Sequence, residues 1–249
     1  MEILLIEDDP VHRAFFREVI EVALPECERL HEAEDGLAGE RLAHEFAVTS
    51  VVMDLQMPKR TGVEAARAIW RERPHTSIMF WSNYADEAYV RGISRIVPEG
   101  AAYGYILKTA SEDRLRLALR SLFIEQQCVI DREVRGVQQK SQNQLLGLTD
   151  TEYEVLQDIA LGLTDRIIAQ RRNLSLRSVQ NRLQQLYEKL GVRQPSTDSD
   201  SDSTPAFNLR SRAVNVALLR KLLNRTALEQ AEIELQEWLK DPRFNYLRH

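Results

Sequence analysis

Residues 50–60, SVVMDLQMPKR, decide the fold of the first half of this chain. The apolar run VVM leads directly into Asp54, and the chain then leaves through a Met-Pro turn. A run that is apolar on successive residues is typical of a strand covered by helices on both faces. Because ligands bind at the carboxyl ends of the strands in such sheets, Asp54 is predicted to stand at a functional site.

The sequence around this stretch alternates short apolar runs with amphipathic segments. Strands are predicted at 3–6, 29–33, 50–53, 77–81 and 103–107. Helices are predicted at 11–24, 37–46, 63–73, 86–97 and 112–124. Five such strand-helix units predict an α/β fold over residues 1–124, built on a doubly wound, five-stranded parallel sheet.

The second half of the chain has a different pattern. Residues 125–147 turn polar and are predicted to form a linker. From residue 148 onward the pattern is helical, with Thr149 and Glu152 in capping-box spacing, Ser175 as a later N-cap and Gly191 as that helix's stop. We therefore predict an all-α helix-turn-helix domain at 148–225 with a disordered Ser/Asp-rich insert at 194–208, and a C-terminal helical extension at 226–249.

Composition and charge exclude several classes of protein. The 249 residues carry a net charge of −5 and two cysteines, too few for a disulfide framework or a Cys-rich metal site. No apolar stretch approaches the length of a membrane span, so we expect a cytoplasmic protein without a membrane partner. Charge is uneven, because six arginines and one lysine lie between Arg166 and Arg193 against the single acid Glu188. The two ends should therefore have different partners.

Charged and polar side chains follow four of the predicted strands: Glu7 and Asp8, then Asp54, Ser82 and Lys108. Carboxylates that converge at one sheet edge repel one another, and a divalent cation would neutralise them. Oxygen ligands without His or Cys favour Mg²⁺.

These residues and their surroundings resemble the receiver domain of two-component response regulators. The resemblance covers residues 2–124 and rests on ILLIEDDP, HEAEDG, VVMDLQMPKRTG, FWSN and GYILK, in that order along the chain. It implies that a histidine kinase phosphorylates Asp54 and that Lys108 pairs with the phosphoryl oxygens. Phosphorylation would draw the Ser82 hydroxyl inward and let Tyr105 rotate into the vacated space.

The resemblance also implies a set of Mg²⁺ ligands. Asp8 and Asp54 would ligate the ion, Glu7 would act largely through a water molecule, and the backbone carbonyl of Gln56 would complete the protein's share. Phosphatases with an aspartyl-phosphate intermediate commonly place a second Asp where Gln56 stands. We therefore expect that the protein is not an enzyme.

Residues 148–192 resemble the LuxR-type helix-turn-helix of NarL/FixJ-class response regulators, on pieces such as EVL at 154–156, SV at 178–179, NRL at 181–183 and KLGV at 189–192. The resemblance implies double-stranded DNA as a partner and a homodimer on activation. The second helix would enter the major groove. Base-reading candidates are Gln180, Asn181 and Gln184; candidates near phosphates are Arg177, Ser178, Arg182 and Lys189.

Together these patterns predict a phosphorylation-dependent DNA-binding transcriptional regulator of a bacterial two-component system. Arg182 stands where the family commonly has histidine, and the insert is acidic, which motivates an alternative: a receiver-type adaptor acting through protein contacts. A DNA binder that ignores phosphorylation is the other alternative. The extension carries an apolar stripe at Leu228, Ala231, Leu235, Trp238 and Leu239. This stripe is predicted to pack on the protein's own domains rather than to form a surface for a partner, and the acidic face opposite is a candidate shield for the arginines.

Overall fold

The computed structural model describes residues 1–142, 147–193 and 207–247. These form two compact units, Met1–Gln138 and Gln139–His249. The insert predicted at 194–208 lies outside the described residues except for Phe207 and Asn208, and so do residues 143–146 of the predicted linker.

The first unit is an α/β structure on a parallel sheet with strand order β2-β1-β3-β4-β5-β6. Its strands are β1 (Glu2–Ile6), β2 (Arg29–Ala33), β3 (Ser50–Met53), β4 (Ser77–Ser82), β5 (Tyr103–Leu107) and β6 (Val129–Ile130). The helices between them are α1 (Pro10–Ala23), α2 (Gly36–Glu45), α3 (Gly62–Glu72), α4 (Glu87–Ser94) and α5 (Glu112–Phe123). The predicted doubly wound α/β fold is confirmed.

Successive residues of each central strand enter opposite cores. Leu4 and Ile6 belong to the core that includes residues of α3 and α4, whereas Ile3 and Leu5 pack in the core that includes residues of α1 and α5. Because side chains alternate across a strand, a sheet covered on both faces needs apolar residues at every position. That requirement explains the continuous apolar runs of the sequence.

The prediction of a five-stranded sheet was wrong, because the sheet has six strands. The segment 125–147, predicted to be a linker, contains the sixth strand and one further helix. β6 pairs with β5, Tyr105 opposite Ile130, and α6 (Arg132–Gln142) follows it. Asp131 joins the two: its N–H donates to the carbonyl of Tyr105 at 3.0 Å, and its carboxylate accepts the N–H of Leu107 at 2.8 Å. A two-residue strand has too few positions to show a period, which is why the sequence did not reveal it.

The second unit consists of α7 (Asp150–Ala160), α8 (Asp165–Arg171), α9 (Leu176–Leu190), α10 (Leu209–Leu219), α11 (Arg225–Leu239) and a 3₁₀ segment (Pro242–Leu247). The Thr149–Glu152 capping box is formed, and Ser175 caps α9. Gly191 ends α9 with φ of 67°, a left-handed conformation that glycine adopts without steric cost. α10 begins at Leu209 because the Asn208 side chain caps it, accepting the N–H of Ser211 at 3.1 Å.

The C-terminal extension packs into the second unit. Ala231 and Leu235 of α11 are buried, and Arg171 of α8 donates to the carbonyl of Ala231 at 3.2 Å. Trp238 stacks on Phe244, with ring centroids 4.0 Å apart. These contacts support the prediction that the apolar stripe packs on the protein's own domain. Among the described residues, no helix combines the length and the hydropathy that crossing a bilayer requires.

Replacement of Val134 tests whether α6 belongs to the first unit. Val134 is 0 % exposed in the core that contains Tyr105 and Leu107. We expect Val134→Ala to lower the free energy of unfolding of this unit by about 1–3 kcal/mol, because it leaves a cavity. The measurement is urea unfolding followed by Trp70 and Trp81 fluorescence in a Trp238→Phe background. Arg135→Ala, at an exposed position of the same helix, is the control, and equal stability of the two variants would contradict docking of α6.

Candidate functional site

Two buried carboxylates are placed by the sheet itself. Sheet hydrogen bonding continues one residue past the strands, since the N–H of Glu7 donates to the Ala33 carbonyl and the N–H of Asp54 donates to the Ile6 carbonyl, both at 3.0 Å. Glu7 is 1 % and Asp54 7 % exposed, and Asp8 is exposed beside them. Carboxylate oxygens of the three residues lie within 4.8 Å of one another. Such a donor set, oxygen only and rich in charge, fits Mg²⁺.

Lys108 enters this cluster from the end of β5. Its N–H donates to the Ser82 carbonyl at 2.9 Å, which fixes the backbone. Its Nζ donates to Oε2 of Glu7 at 2.8 Å and to Oδ2 of Asp54 at 2.9 Å, and the side chain is only 4 % exposed. One ammonium group thus partly neutralises three carboxylates, and the remaining negative charge favours a cation.

The electrostatics of the site follow from this balance. Burial raises the pKa of the Glu7 carboxyl; the hydrogen bond from Lys108 opposes that rise, and the negative charge of Asp54 adds to it. Burial alone would lower the pKa of Lys108, but Asp54 and Glu7 outweigh it and the net effect is a raised pKa. Lys108 therefore stays charged at neutral pH despite its burial.

The loop after β3 closes tightly over Asp54. Its Oδ1 accepts the N–H of Leu55 at 2.6 Å, and the N–H of Gln56 lies 3.4 Å from the same oxygen. A side chain at Gly62 would place Cβ 2.1 Å from the carbonyl oxygen of Asp54, so only glycine fits there. Oδ1 is thereby held by the loop backbone and Oδ2 by Lys108. The Gln56 side chain is exposed.

Ser82 and Tyr105 meet at the backbone of Tyr84. Ser82 is fully buried at the end of β4, and its Oγ lies 3.4 Å from the N–H of Tyr84. Tyr105 is 1 % exposed and donates its hydroxyl to the Tyr84 carbonyl at 2.6 Å. Burial raises the pKa of the Tyr105 hydroxyl, so it remains a donor. The sequence predicted Ser82 and Tyr105 as site residues but not Tyr84, whose backbone N–H and carbonyl contact both of them.

The sequence-predicted base readers share one face of α9. Gln180, Asn181 and Gln184 are exposed together with Arg177, and their spacing of three and four residues puts them side by side on the helix. Val179, Leu183 and Leu186 bury the opposite face. Ser178 accepts a hydrogen bond from Arg182 through its backbone carbonyl at 3.3 Å, and both of these side chains are half-buried.

Comparison with known proteins agrees with this geometry. Residues 3–120 match the family model of the response regulator receiver domain, and residues 146–196 match that of bacterial regulatory proteins of the luxR family. The transcriptional regulatory protein YdfI of Bacillus subtilis (strain 168) is 31 % identical over 229 residues, which cover 89 % of this chain and 97 % of YdfI. The chain belongs to the LuxR-type response regulators. The predicted family is thereby confirmed.

Other relatives point the same way. LiaR of Bacillus subtilis (strain 168) is 28 % identical, and the match covers 86 % of this chain and all of LiaR. NarP of Escherichia coli (strain K12), a nitrate/nitrite response regulator, is 26 % identical, and the match covers 77 % of this chain and 89 % of NarP. The structure of RcsB from Salmonella enterica bound to a promoter superposes with a TM-score of 0.57 at 21 % identity, covering 90 % of this chain and 99 % of RcsB, and so supports the fold. This response regulator is a DNA-binding transcriptional regulator and not an enzyme, as predicted.

Not all of the basic side chains of this response regulator face outward. Lys189, a predicted phosphate contact, donates its Nζ to Glu152 at 2.7 Å and to the Gly147 carbonyl at 3.1 Å. Arg171 and Arg172 both bond the fully buried carboxylate of Asp158. These three side chains form ion pairs inside the second unit. The paired residues are far apart in the sequence, so the sequence alone does not reveal the pairs.

The Glu152–Lys189 pair makes the stability of this unit depend on pH. Burial alone would raise the pKa of Glu152, but the hydrogen bonds from Lys189 and Thr149 outweigh it and lower the pKa. The charged carboxylate therefore stabilises the fold above its unfolded-state pKa of about 4.3, and that stabilisation is lost as pH falls through the lower folded-state value.

Glu152→Gln removes the charge and keeps an oxygen for the cap. We expect it to lower stability at pH 7 by about 1–3 kcal/mol, the value of a hydrogen bond to a charged group, with the difference from wild type shrinking below about pH 4. The measurement is hydrogen exchange of the backbone amides of α7 and α9 at pH 7 and below about pH 4, which reports the loss of stability. Glu188→Gln, at an exposed position of α9, is the control; a Glu152→Gln effect that does not change with pH would contradict the ion pair.

Proposed function

We propose that this regulator is switched by phosphorylation of Asp54, with a histidine kinase as phosphodonor. The observation that carries the proposal is the position of the Lys108 ammonium, 2.9 Å from Asp54 and 2.8 Å from Glu7 in a buried site. A carboxylate oxygen of Asp54 would attack phosphorus while the bond from phosphorus to the donor's histidine nitrogen breaks, its electron pair returning to that nitrogen. Lys108 would neutralise charge on the phosphoryl oxygens.

Mg²⁺ belongs to this proposal as the cofactor. Asp8 and Asp54 would ligate it, with Glu7 acting through water and Gln56 contributing its carbonyl. A bound Mg²⁺ would neutralise charge on the phosphoryl group and on the carboxylates. The donor set of three convergent carboxylates supports this assignment.

The proposed switch runs through Tyr84. A phosphoryl oxygen near Asp54 would accept a hydrogen bond from the Ser82 hydroxyl, whose oxygen faces the N–H of Tyr84, and Tyr105 bonds the carbonyl of that same residue. Tyr105 occupies the buried position, and phosphorylation would stabilise this arrangement. The shift in population is limited by the difference in interaction energy between the two states.

The buried Tyr105 also favours a second candidate function. A phosphorylation-independent DNA-binding regulator would keep its switch residue permanently in this inward position, as Tyr105 is placed here. The two candidates differ in one observable, the dependence of DNA affinity on Asp54.

In either case we propose that residues 148–225 bind double-stranded DNA as part of a homodimer, with α9 in the major groove. The receiver would be residues 1–124, extended by β6 and the start of α6, and residues 226–249 would complete the helical domain. A cytoplasmic location fits this role, because both the phosphodonor and the DNA are inside the cell.

Asp54→Asn tests the phosphoacceptor. With acetyl phosphate and Mg²⁺, we expect wild type to gain one phosphoryl group by intact mass and to bind its upstream DNA at least about tenfold more tightly, within the range of coupling energies of regulatory proteins. Asp54→Asn should show neither change. Asp113→Asn, whose carboxylate is 95 % exposed on α5, should behave as wild type.

Two outcomes would favour one of the alternative functions. Phosphorylation of wild type without a change in DNA affinity would favour the phosphorylation-independent regulator. Phosphorylation without any DNA binding, at low as well as moderate salt, would favour the adaptor.

Gln180→Ala tests base reading by α9. We expect it to cost about 1–3 kcal/mol of specific binding and to relax preference at one base pair, because glutamine binds adenine through two hydrogen bonds. Gln236 is an exposed helical glutamine too, but it lies on α11 and not on α9, so Gln236→Ala is the matched control and should change affinity by less than about 0.5 kcal/mol. Fluorescence anisotropy with operator variants measures both. Equal losses would argue against this face.

A further inference from the structure

Lys108 has a third hydrogen-bond partner that belongs to neither the phosphoacceptor nor the metal set. Its Nζ lies 3.3 Å from Nδ1 of His12, besides its bonds to Glu7 and Asp54. A lysine ammonium has three donors and no acceptor, so Nδ1 of His12 accepts this bond. The centroid of the Trp81 ring lies 4.8 Å from the same Nζ. The ammonium group therefore has three acceptors and an aromatic ring beside it.

The fold fixes His12 in this position. Asp9 caps α1, and its Oδ1 accepts the N–H groups of Val11 and His12 at 2.8 and 2.9 Å, which holds the first turn at the sheet edge. The His12 ring meets the Trp81 ring edge-on, with centroids 5.6 Å apart. Phe15, one turn further along α1, stacks on the same indole at 6.0 Å.

Trp81 is itself buried in the core. It is the next-to-last residue of β4, is 2 % exposed, and packs against Phe16 with ring centroids 4.5 Å apart. Its strand neighbour in β5 is Ile106, two residues before Lys108. Trp81 thus offers a rigid aromatic face beside the ammonium, the arrangement of a cation–π contact.

Of the three acceptors of Lys108, two change during the proposed reaction. Asp54 becomes phosphorylated, and Glu7 would be shared with the metal. His12 is neither phosphorylated nor bound to the metal, so it remains an acceptor for Lys108 throughout.

We propose that His12, supported by Trp81, is a positioning residue that holds the Lys108 ammonium toward the phosphoryl group. This inference rests on the proposed phosphorylation of Asp54. Without the His12 acceptor, one N–H of a buried ammonium loses its partner, and Lys108 turns further toward Glu7 and away from an incoming phosphoryl group.

The test uses full-length His12→Leu, which removes the acceptor, and His12→Asn, whose Oδ1 restores an acceptor at the position of Nδ1. For phosphorylation by acetyl phosphate, we expect His12→Leu to raise KM roughly three- to tenfold, with a smaller change in the maximal rate, because binding of the phosphoryl group weakens. His12→Asn should recover most of the loss. Val11→Ala, at a position 73 % exposed on the same turn, should match wild type.

A second measurement needs neither metal nor phosphodonor. A buried, hydrogen-bonded lysine ammonium exchanges its protons slowly and gives a side-chain nitrogen NMR signal, which Lys108→Arg would assign in the metal-free protein. His12→Leu should shift this signal or broaden it by faster exchange, and His12→Asn should return it toward the wild-type position.

The outcomes separate the two hypotheses. If wild type is not phosphorylated on Asp54, the proposed function fails, while the NMR signal still reports on the His12 contact. If wild type is phosphorylated and His12→Leu matches it in KM and in the Lys108 signal, the positioning role is overturned. A loss in His12→Leu that His12→Asn does not reverse would also overturn it, because the acceptor would then not be the cause.

Discussion

Two buried carboxylates share one ammonium group at the carboxyl edge of the sheet. Glu7 and Asp54 arrive from adjacent strands because β1 pairs with β3, and their mutual repulsion is tolerable because Lys108 bonds both of them. The neighbouring backbone holds these side chains in contact. Gly62 lets the loop after β3 close over Asp54, and the Ser82 carbonyl holds the backbone of Lys108. A site whose carboxylates and ammonium group are held in place in this way needs little rearrangement to accept a cation or a phosphoryl group.

The same strand that delivers Lys108 also carries the start of α6. Tyr105 and Leu107 of β5 bond the backbone and the carboxylate of Asp131, and Asp131 precedes the first residue of α6. A displacement at the end of β5 would therefore act both on the proposed phosphorylation site and on the segment that continues along the chain toward the second unit. An equilibrium between two positions of β5 would couple these two regions without a separate relay.

Much of the first unit could be predicted from the sequence because its physics is local and periodic. Apolar runs such as VVM identified strands covered on both faces, and the parallel arrangement brought Glu7, Asp54 and Lys108 to one edge. Features that rest on short or distant relations were missed. β6 has two residues, and Val134 is a single buried position in a polar stretch. His12 and Lys108 are 96 positions apart in the sequence, and only the place of His12 in the first turn of α1, close to the end of β1, could have drawn attention to it.

The second unit shows how counting charges overstates a binding surface. Arginine is abundant between residues 166 and 193, yet Arg171 and Arg172 neutralise the buried Asp158, and Lys189 is bonded to Glu152. Arg166, Arg177 and Arg193 are the exposed arginines of that segment. Because each phosphate contact adds about 0.9 to the slope of log affinity against log salt, a surface with few free cations gains less from counterion release than its composition suggests. In the proposed function, recognition would then depend more on the amide side chains of α9, because hydrogen bonds to base edges do not rely on counterion release.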